Sequence, residues 1–243
     1  MKRINSLSGN ALKIIAAVSM LFDHIGLIFF PKIAVFRYIG RLAFPIFAFM
    51  IAEGCRYTKN KLRYFLSVAI LGLVCQMAYL FTSSSLYIGI LISFSVSILL
   101  IYLLGEIYRA LFAKKWVLTA VLGLAFAASV AAVYIICRKI SVDYGFWGCM
   151  MPVAASLSHF PKSASEKLRK IDLPLTRVLL MGVCLVMYAT SHGGYRMLSL
   201  LTLPLLLLYS GERGRWKMKY FFYIFYPLHL VVLWGIFMLI RML

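Results

Sequence analysis

The 243-residue chain is 63% hydrophobic, has a mean hydropathy of +0.93 and contains only 7 acidic residues against 26 basic ones. This composition excludes a water-soluble domain of this size, and apolar stretches of membrane-spanning length recur from one end to the other. The net charge of +19 does not indicate nucleic acid as a partner, because the basic residues lie in short segments between apolar stretches. The sequence therefore predicts an all-α, polytopic bundle of membrane helices in contact with lipid and located in the cell membrane.

Hydropathy and helix-breaking residues divide the chain into about nine predicted membrane-spanning helices, and eight to ten are compatible with the pattern. The sixth and the eighth of these are short. The whole chain, residues 1–243, is expected to form a single transmembrane domain. The predicted spans are 9–30, 34–55, 62–83, 86–108, 116–136, 144–160, 173–191, 196–211 and 219–240.

The basic residues of the connecting segments alternate in number along the chain. If the N terminus lies inside, the inner segments hold 17 Lys and Arg residues and the outer segments hold 6. Cytoplasmic loops of membrane proteins are enriched in these residues, so the asymmetry predicts a cytoplasmic N terminus. The longest connection, residues 161–172, is polar and is bracketed by Pro161 and Pro174. It is expected to be a cytoplasmic linker or a short surface helix.

The first predicted span contains three ionisable residues, Lys13, Asp23 and His24. Such groups cost at least ~2.5 to 3.5 kcal/mol each in hydrocarbon, so they are retained where they face a protein interior or an aqueous cavity. Lys13 and His24 are eleven residues apart, which places them about 20° out of phase on a helix and about 16 Å apart along its axis. One helix face is therefore predicted to carry both, as the wall of a reaction channel.

Two further spans carry ionisable residues beside prolines. In the second span, Arg41 precedes Pro45 by four residues, and Pro45 cannot donate a hydrogen bond to the Arg41 carbonyl, so the helix is expected to loosen there. In the ninth span, His229 lies two residues after Pro227. Irregular backbone at membrane depth is tolerated where it lines a cavity.

Simpler interpretations of these residues remain open. Asp23 with Arg41, or Lys13 with Glu53, would also serve as ion pairs that hold two helices together, since each pair is predicted at one membrane depth. Glu53 is also one turn before Arg56, which favours a pair at the membrane surface. His229 is also explained as a core histidine bonded to a nearby tyrosine.

Several other chemistries have no support in the sequence. The five cysteines are scattered singly, which predicts reduced thiols and neither a disulfide framework nor a metal site. The zinc motif HExxH is absent, and so are the Gly-x-Ser-x-Gly and Ser-x-x-Lys motifs of serine nucleophiles. A histidine in an apolar pocket, by contrast, suits a general base, and an arginine suits an oxyanion or a phosphate.

Four stretches of the chain resemble successive signatures of the TraX family of integral membrane proteins. They are SGNALKIIAAVSMLFDHIG, RYIGRLAFPIFAFMIAEGCRYTKN, DYGFWG and KYFFYIFYPLHL, and the resemblance runs from about Ser8 to Leu230. The named member of that family is associated with N-acetylation of the amino terminus of conjugative pilin. The spacing of Lys13 and His24 also resembles a signature of acyltransferase family 3 membrane enzymes. The paired-arginine motif of that group is matched by Arg37 and Arg41 at a spacing of four, where the group has three.

The resemblance implies an acetyltransferase with acetyl-CoA as acyl donor and a peptide, glycan or lipid as acceptor. In this interpretation His24 deprotonates the acceptor, and Arg41 and His229 stabilise charge or position the acceptor. Asp23 belongs to the same catalytic group. The expected contacts to acetyl-CoA are Lys13, Arg41, Glu53 and Tyr226. Transient acetylation of a histidine stays open, as do a proton-coupled transporter and a non-enzymatic membrane assembly factor. The sequence leaves the oligomeric state undetermined.

Overall fold

The computed structural model describes residues 7–82, 87–215 and 218–242, most of which are helical. The all-α class predicted from the sequence is therefore confirmed. Within these residues the only strands are two short segments, β1 (Tyr87–Ile88) and β2 (Ser141–Val142), which pair in parallel. The helices are α1 (Gly9–Ile28), α2 (Ala34–Gly40), α3 (Ala43–Tyr57), α4 (Lys61–Thr82), α5 (Ile90–Phe112), α6 (Trp116–Lys139), α7 (Gly145–Ser156), α8 (Glu166–Arg169), α9 (Pro174–His192), a 3₁₀ helix (Gly194–Leu201), α10 (Thr202–Leu207) and α11 (Lys219–Met242).

Every predicted span has a helical counterpart in the described part of the chain. Seven helices there are long and apolar enough to cross a membrane when α2 and α3 are counted together, and the protein is a polytopic membrane helix bundle. The sixth predicted span is α7, with 12 residues, and the eighth is the 3₁₀ helix followed by α10. At about 1.5 Å per residue, α7 is much shorter than the ~30 Å hydrocarbon core.

The sidedness of the chain stays a prediction. Three of the basic residues assigned to the inner side, Lys2, Arg3 and Lys217, lie outside the described residues. The linker 161–172 contains the one-turn helix α8, which Ser165 caps by accepting a hydrogen bond from the Leu168 amide, 3.4 Å away.

The chain divides into two compact units, with boundaries inside α3 and inside α9. Unit 1 comprises residues 1–47 and 189–243, and unit 2 comprises residues 48–188. Each unit contains helices of membrane-spanning length, so the division does not separate off a soluble domain. The single-domain organisation expected from the sequence stays a prediction.

Unit 1 is built on close packing of α1 against α2 and α11. Ser8 caps α1 by accepting a hydrogen bond from the Ala11 amide at 3.2 Å. A Cβ atom at Gly26 would clash with Phe36, and one at Gly40 would clash with the Asp23 carboxylate. These two glycines therefore set the distance between α1 and α2, as small residues do between membrane helices.

The predicted loosening of the second span is confirmed. α2 ends at Gly40 and α3 begins at Ala43, so the helix is interrupted at Arg41, and Pro45 lies in the first turn of α3, where its missing N–H costs nothing. The second proline behaves differently. α11 continues through Pro227 without a break.

Unit 2 is organised around α5, which packs against α4, α6 and α7. Ser97 on α5 is fully buried and donates a hydrogen bond to the Cys149 carbonyl of α7 at 2.7 Å. Gln76 on α4 binds the segment before α5, since its side chain donates to the Tyr87 carbonyl at 2.7 Å and accepts from the Gly89 amide at 2.9 Å. These polar contacts fix the register of α4 and α7 against α5.

Candidate functional site

One face of α1 meets α11 at two levels. Near the start of α1, the Lys13 ammonium lies 5.8 Å from the ring centroid of Phe222. Further along, the His24 ring lies 5.0 Å from the ring of His229, centroid to centroid. The prediction that Lys13 and His24 share a helix face is therefore confirmed, and the structure adds that α11 lies against that face.

The two histidines present their rings in the same way. His24 Nδ1 lies 2.8 Å from the Met20 carbonyl, and His229 Nδ1 lies 2.8 Å from the Phe225 carbonyl. A carbonyl only accepts, so each Nδ1 carries the proton, and each neutral ring keeps its lone pair on Nε2. The Nε2 atom of His229 is buried and has no hydrogen-bond partner among the described residues. Two imidazoles with accepting Nε2 atoms thus face each other at this level.

His229 is held by aromatic neighbours on its own helix. Its ring stacks on Phe225 at 5.0 Å with an interplanar angle of 8°, and the Tyr226 ring lies edge-on at 6.0 Å. The explanation of His229 as a core histidine bonded to a nearby tyrosine is wrong in its partner, because Nδ1 is bonded to the backbone of Phe225 and Nε2 has no partner among the described residues. Tyr226, which is an expected contact to acetyl-CoA, lies beside His229.

Asp23 binds two arginines of the second span. Its Oδ2 accepts from Arg37 and its Oδ1 accepts from Arg41, each at 2.9 Å. Both carboxylate oxygens are thereby engaged, and Nδ1 of His24 is bonded to the Met20 carbonyl. Asp23 therefore positions the two guanidinium groups, and the backbone orients His24. The interhelical pair of Asp23 with Arg41 that the sequence suggested is confirmed.

Arg41 is the most buried cation of this cluster, with a side chain 7% exposed compared with 26% for Arg37. Its guanidinium carbon lies 5.3 Å from the ring centroid of Tyr195, at the start of the 3₁₀ helix. Arg196 approaches the same ring at 5.6 Å. Arginine over an aromatic face gains a cation–π attraction that strengthens when water is excluded.

Glu53 has a partner that the sequence did not predict. It is 5% exposed and forms a buried ion pair with Arg177 of α9, in unit 2. The expectation that Glu53 pairs with Arg56 at the surface is wrong, because Arg56 binds Asp172 at 2.6 Å. The expected role of Glu53 in binding acetyl-CoA stays a prediction.

Asp172, in the linker before α9, is the centre of this second cluster. Its carboxylate also lies 3.0 Å from Arg177 and 3.3 Å from His159. Burial raises the pKa of Asp172, but the hydrogen bonds from His159 and Arg56, together with the nearby arginine charges, outweigh it and lower the pKa to about 2. The linker is thus anchored by charge to helices of unit 2.

Sequence reasoning missed the partners of the predicted residues. Arg37 was counted in an outer connection and matched with Arg41 to the paired-arginine motif, but its bond to Asp23 was not predicted. Its position one turn before Arg41, on the same helix face, was a second usable signal. Nothing marked Tyr195 or Phe222 as neighbours of ionisable residues. Aromatic residues are too frequent here, at 15% of the chain, for any single one to stand out.

Comparisons with known proteins identify one family model and two similar proteins. The family model described as TraX protein matches residues 8–237. A protein of Dichelobacter nodosus named probable fimbrial assembly protein FimC, serogroup H1, is 25% identical over 247 aligned residues, which cover 96% of this chain and 97% of that protein. An uncharacterized protein of Rickettsia prowazekii (strain Madrid E) is 38% identical over 66 residues, 27% of this chain and 25% of that protein. No solved structure matches the chain.

Proposed function

Because the chain belongs to the TraX family, we propose that it is an acetyltransferase of the bacterial cell membrane. It moves the acetyl group of cytoplasmic acetyl-CoA to an amine or hydroxyl of an acceptor in the membrane or beyond it. The family is associated with acetylation of a pilin amino terminus, and the Dichelobacter relative is named for fimbrial assembly. The amino terminus of a pilus or fimbrial subunit is therefore the first acceptor to test, followed by glycans and lipids.

The observation that carries this proposal is the pair of facing imidazoles. His24 and His229 lie 5.0 Å apart, and each has its Nδ1 proton bound to a backbone carbonyl. His24 is half-buried and His229 is buried. A neutral imidazole with a fixed tautomer and an accepting Nε2 in such a setting has what a general base needs near neutral pH. The backbone bonds also keep both rings from turning, so the bases are positioned before the substrates arrive.

In the proposed reaction, the nitrogen or oxygen atom of the acceptor attacks the thioester carbonyl carbon, and His24 Nε2 takes the proton from this atom. A bond forms from the acceptor to this carbon, the carbon–sulfur bond breaks, and His24 returns the proton to the departing CoA thiolate. Arg41 stabilises the negative charge that develops on the carbonyl oxygen. Asp23 holds Arg41 in place for this role. The Nε2 atom of His229 can accept a hydrogen bond from the acceptor and so positions it. A variant in which a histidine is acetylated first uses the same groups.

Lys13 and Tyr226 are proposed to hold the donor. The Lys13 ammonium suits a phosphate of CoA. At about 1.5 Å per residue, Lys13 and His24 lie about 16 Å apart along the helix axis. In the proposal, the pantetheine arm of CoA spans this distance. Tyr226 lies beside His229, where it can contact the thioester end. We also propose that a channel joins the level of Lys13 to the level of His24.

The test uses membranes of cells that express the protein, incubated with radiolabelled acetyl-CoA. Label is measured separately in the protein, glycan and lipid fractions. His24→Ala is expected to abolish transfer while the protein stays folded. Leu27→Ala is the matched control, because Leu27 is 54% exposed on the same helix and its loss removes no ionisable group. If His24→Ala incorporates as much label as wild type, the proposed mechanism is wrong.

A non-enzymatic assembly factor is the second candidate, because the name of the Dichelobacter relative mentions assembly and no chemistry. Thermal shift with acetyl-CoA separates the two candidates. A ligand that binds only the folded state raises the melting temperature by mass action. The acetyltransferase is expected to be stabilised by acetyl-CoA more than by ATP at equal concentration. An assembly factor has no reason to prefer one of these anions over the other.

A further inference from the structure

A cavity of about 220 Å³ lies within unit 2, among the ends of α3, α5 and α7 and the start of α4. Among the charged side chains that the described residues contribute to its wall, cations predominate, and Glu53 is the one acidic residue. The basic residues that line it are Arg56, Lys61, Arg109, His159 and Arg177.

Two further carboxylates hold these cations in place and do not line the cavity. Asp172 binds Arg56 and Arg177, and Glu106 binds Lys61 at 3.1 Å and Arg109 at 2.7 Å. The four Lys and Arg side chains therefore face three carboxylates, which leaves an excess of one positive charge before His159 is counted. One anionic group in the cavity would balance the cluster.

The second oxygen of Glu53 requires a donor. Its Oε1 binds Arg177, but its Oε2 is buried and has no hydrogen-bond partner among the described residues. Leaving a buried acceptor unsatisfied costs ~1–3 kcal/mol, and more for a charged one. An occupant that donates an N–H or O–H to this oxygen would remove the cost. The cavity thus calls for one anionic group and one hydrogen-bond donor.

The size of the cavity narrows the class of ligand. At ~30 Å³ per water it holds about seven waters, and it is smaller than the ~300–1,000 Å³ of pockets that enclose drug-sized molecules. A whole CoA molecule is too large for it. Several Arg and Lys side chains that converge on one space favour a phosphate over a singly charged carboxylate.

We propose that this cavity binds a small phosphate ester that also carries a hydroxyl or amino donor, with the phosphate against Lys61 and Arg109 and the donor on Glu53. Lys61 and Arg109 are the exposed cations of the cluster, with side chains 38% and 58% exposed, so they can reach an incoming anion. The ligand chemistry fits a soluble phosphate ester and a phospholipid headgroup equally. The site shares only Glu53 with the residues expected to contact acetyl-CoA. Lys61 and Arg109, which the test changes, have no role in the proposed transfer, so the two proposals are tested separately.

Calorimetric titration of the protein in phosphatidylcholine nanodiscs tests the soluble source. The probes are glycerol 3-phosphate, inorganic phosphate and glycerol. Glycerol 3-phosphate is expected to bind more tightly than inorganic phosphate, because it also supplies donors for Glu53, and glycerol alone is expected not to bind. The double variant Lys61→Gln with Arg109→Gln is expected to weaken binding at least about tenfold, since each charge-assisted hydrogen bond contributes a factor of this order.

Three further variants complete the titration. Lys115→Gln is the matched control, because Lys115 is an exposed cation that does not line the cavity, and its binding is expected to equal wild type. Glu53→Gln is expected to narrow the preference for glycerol 3-phosphate over inorganic phosphate. Because this change also alters a buried ion pair, the exposed double variant decides the outcome. His24→Ala is expected to keep the phosphate site intact.

Native mass spectrometry tests the lipid source. Protein from nanodiscs that contain phosphatidylethanolamine and phosphatidic acid is examined for retained lipid. A lipid that stays on wild type and on Lys115→Gln, but is lost from the double variant, assigns a headgroup to the cavity. Soluble binding with the predicted loss assigns a free phosphate ester. If neither measurement separates the double variant from Lys115→Gln, the proposal is overturned.

Discussion

His24 on α1 and His229 on α11 face each other with ring centroids 5.0 Å apart and an interplanar angle of 70°. Each ring donates its Nδ1 proton to the carbonyl four residues earlier on its own helix. The backbone therefore sets the tautomer of both bases, a role that carboxylates often fill elsewhere. This arrangement explains why Asp23, although adjacent to His24 in sequence, is free to bind arginines.

His229→Ala is expected to lower acetyl transfer by ~10²–10⁴-fold, the usual range for a lost acid–base side chain. If His24 and His229 act together in the same step, the double variant will be barely slower than the slower single variant, because effects within one catalytic unit are not additive. Initial rates with labelled acetyl-CoA measure this. Losses that multiply would mean that the two imidazoles act independently.

Gly40→Ala is expected to damage the site through packing. The new methyl group would meet the Asp23 carboxylate and force α2 away from α1, at a cost of ~1–3 kcal/mol for overpacking. Both thermal stability and transfer should fall. Gly123→Ala on α6 is the matched control, since a Cβ there meets no atom within 4 Å, and it should be neutral or stabilising by up to ~1 kcal/mol. Equal melting temperatures for the two variants would contradict the close approach.

Arg41→Gln is expected to be more harmful than Arg37→Gln, although both arginines bind the same carboxylate. The Arg41 side chain is 7% exposed and that of Arg37 is 26% exposed, so water replaces the lost Arg37 bond more easily. Breaking a buried pair costs ~3–5 kcal/mol, whereas exposed pairs contribute ~0–1 kcal/mol. Melting temperatures and transfer rates of the two variants, measured side by side, give the ranking. A reversed ranking would show that Asp23 depends mainly on Arg37.

Asp172 is expected to make stability depend on acid pH. Its folded pKa of about 2 is lower than its usual value of 3.8, so the charged form stabilises the fold. The contribution is fully present above pH ~4 and is lost as the pH falls toward 2. Thermal melts of wild type and Asp172→Asn, in which Arg56, Arg177 and His159 lose their partner, should differ at neutral pH and converge in acid. A constant difference across this range would mean that the charge of Asp172 is not the cause.

Much of the candidate site follows from local sequence patterns. The spacing of Lys13 and His24 fixes their common face, because helical periodicity depends only on the residues of one helix. Pro45 marks the interruption at Arg41 for an equally local reason, its missing N–H. The pairing of Asp23 with Arg41 follows from depth in the membrane, which the order of the spans determines.

Other features could not be inferred in this way. Glu53 offered two candidate partners, Lys13 by membrane depth and Arg56 by helical spacing, and the folded chain pairs it with Arg177. A charge in an apolar bundle must find a partner, but the sequence does not say which helix will bring one. The approach of Gly40 to Asp23 likewise depends on how two helix surfaces fit together.

The sequence by itself determined that this protein is a helical membrane bundle, that its second span is interrupted at Arg41, and which face of α1 carries Lys13 and His24. These properties follow from hydropathy and backbone geometry, which act within single helices. Only the tertiary structure decided that His229 faces His24, that Arg37 shares Asp23 with Arg41, and that Arg177 binds Glu53. The physical reason is that neighbouring helices are selected by many weak packing contacts spread over whole surfaces, and no short stretch of sequence encodes their sum.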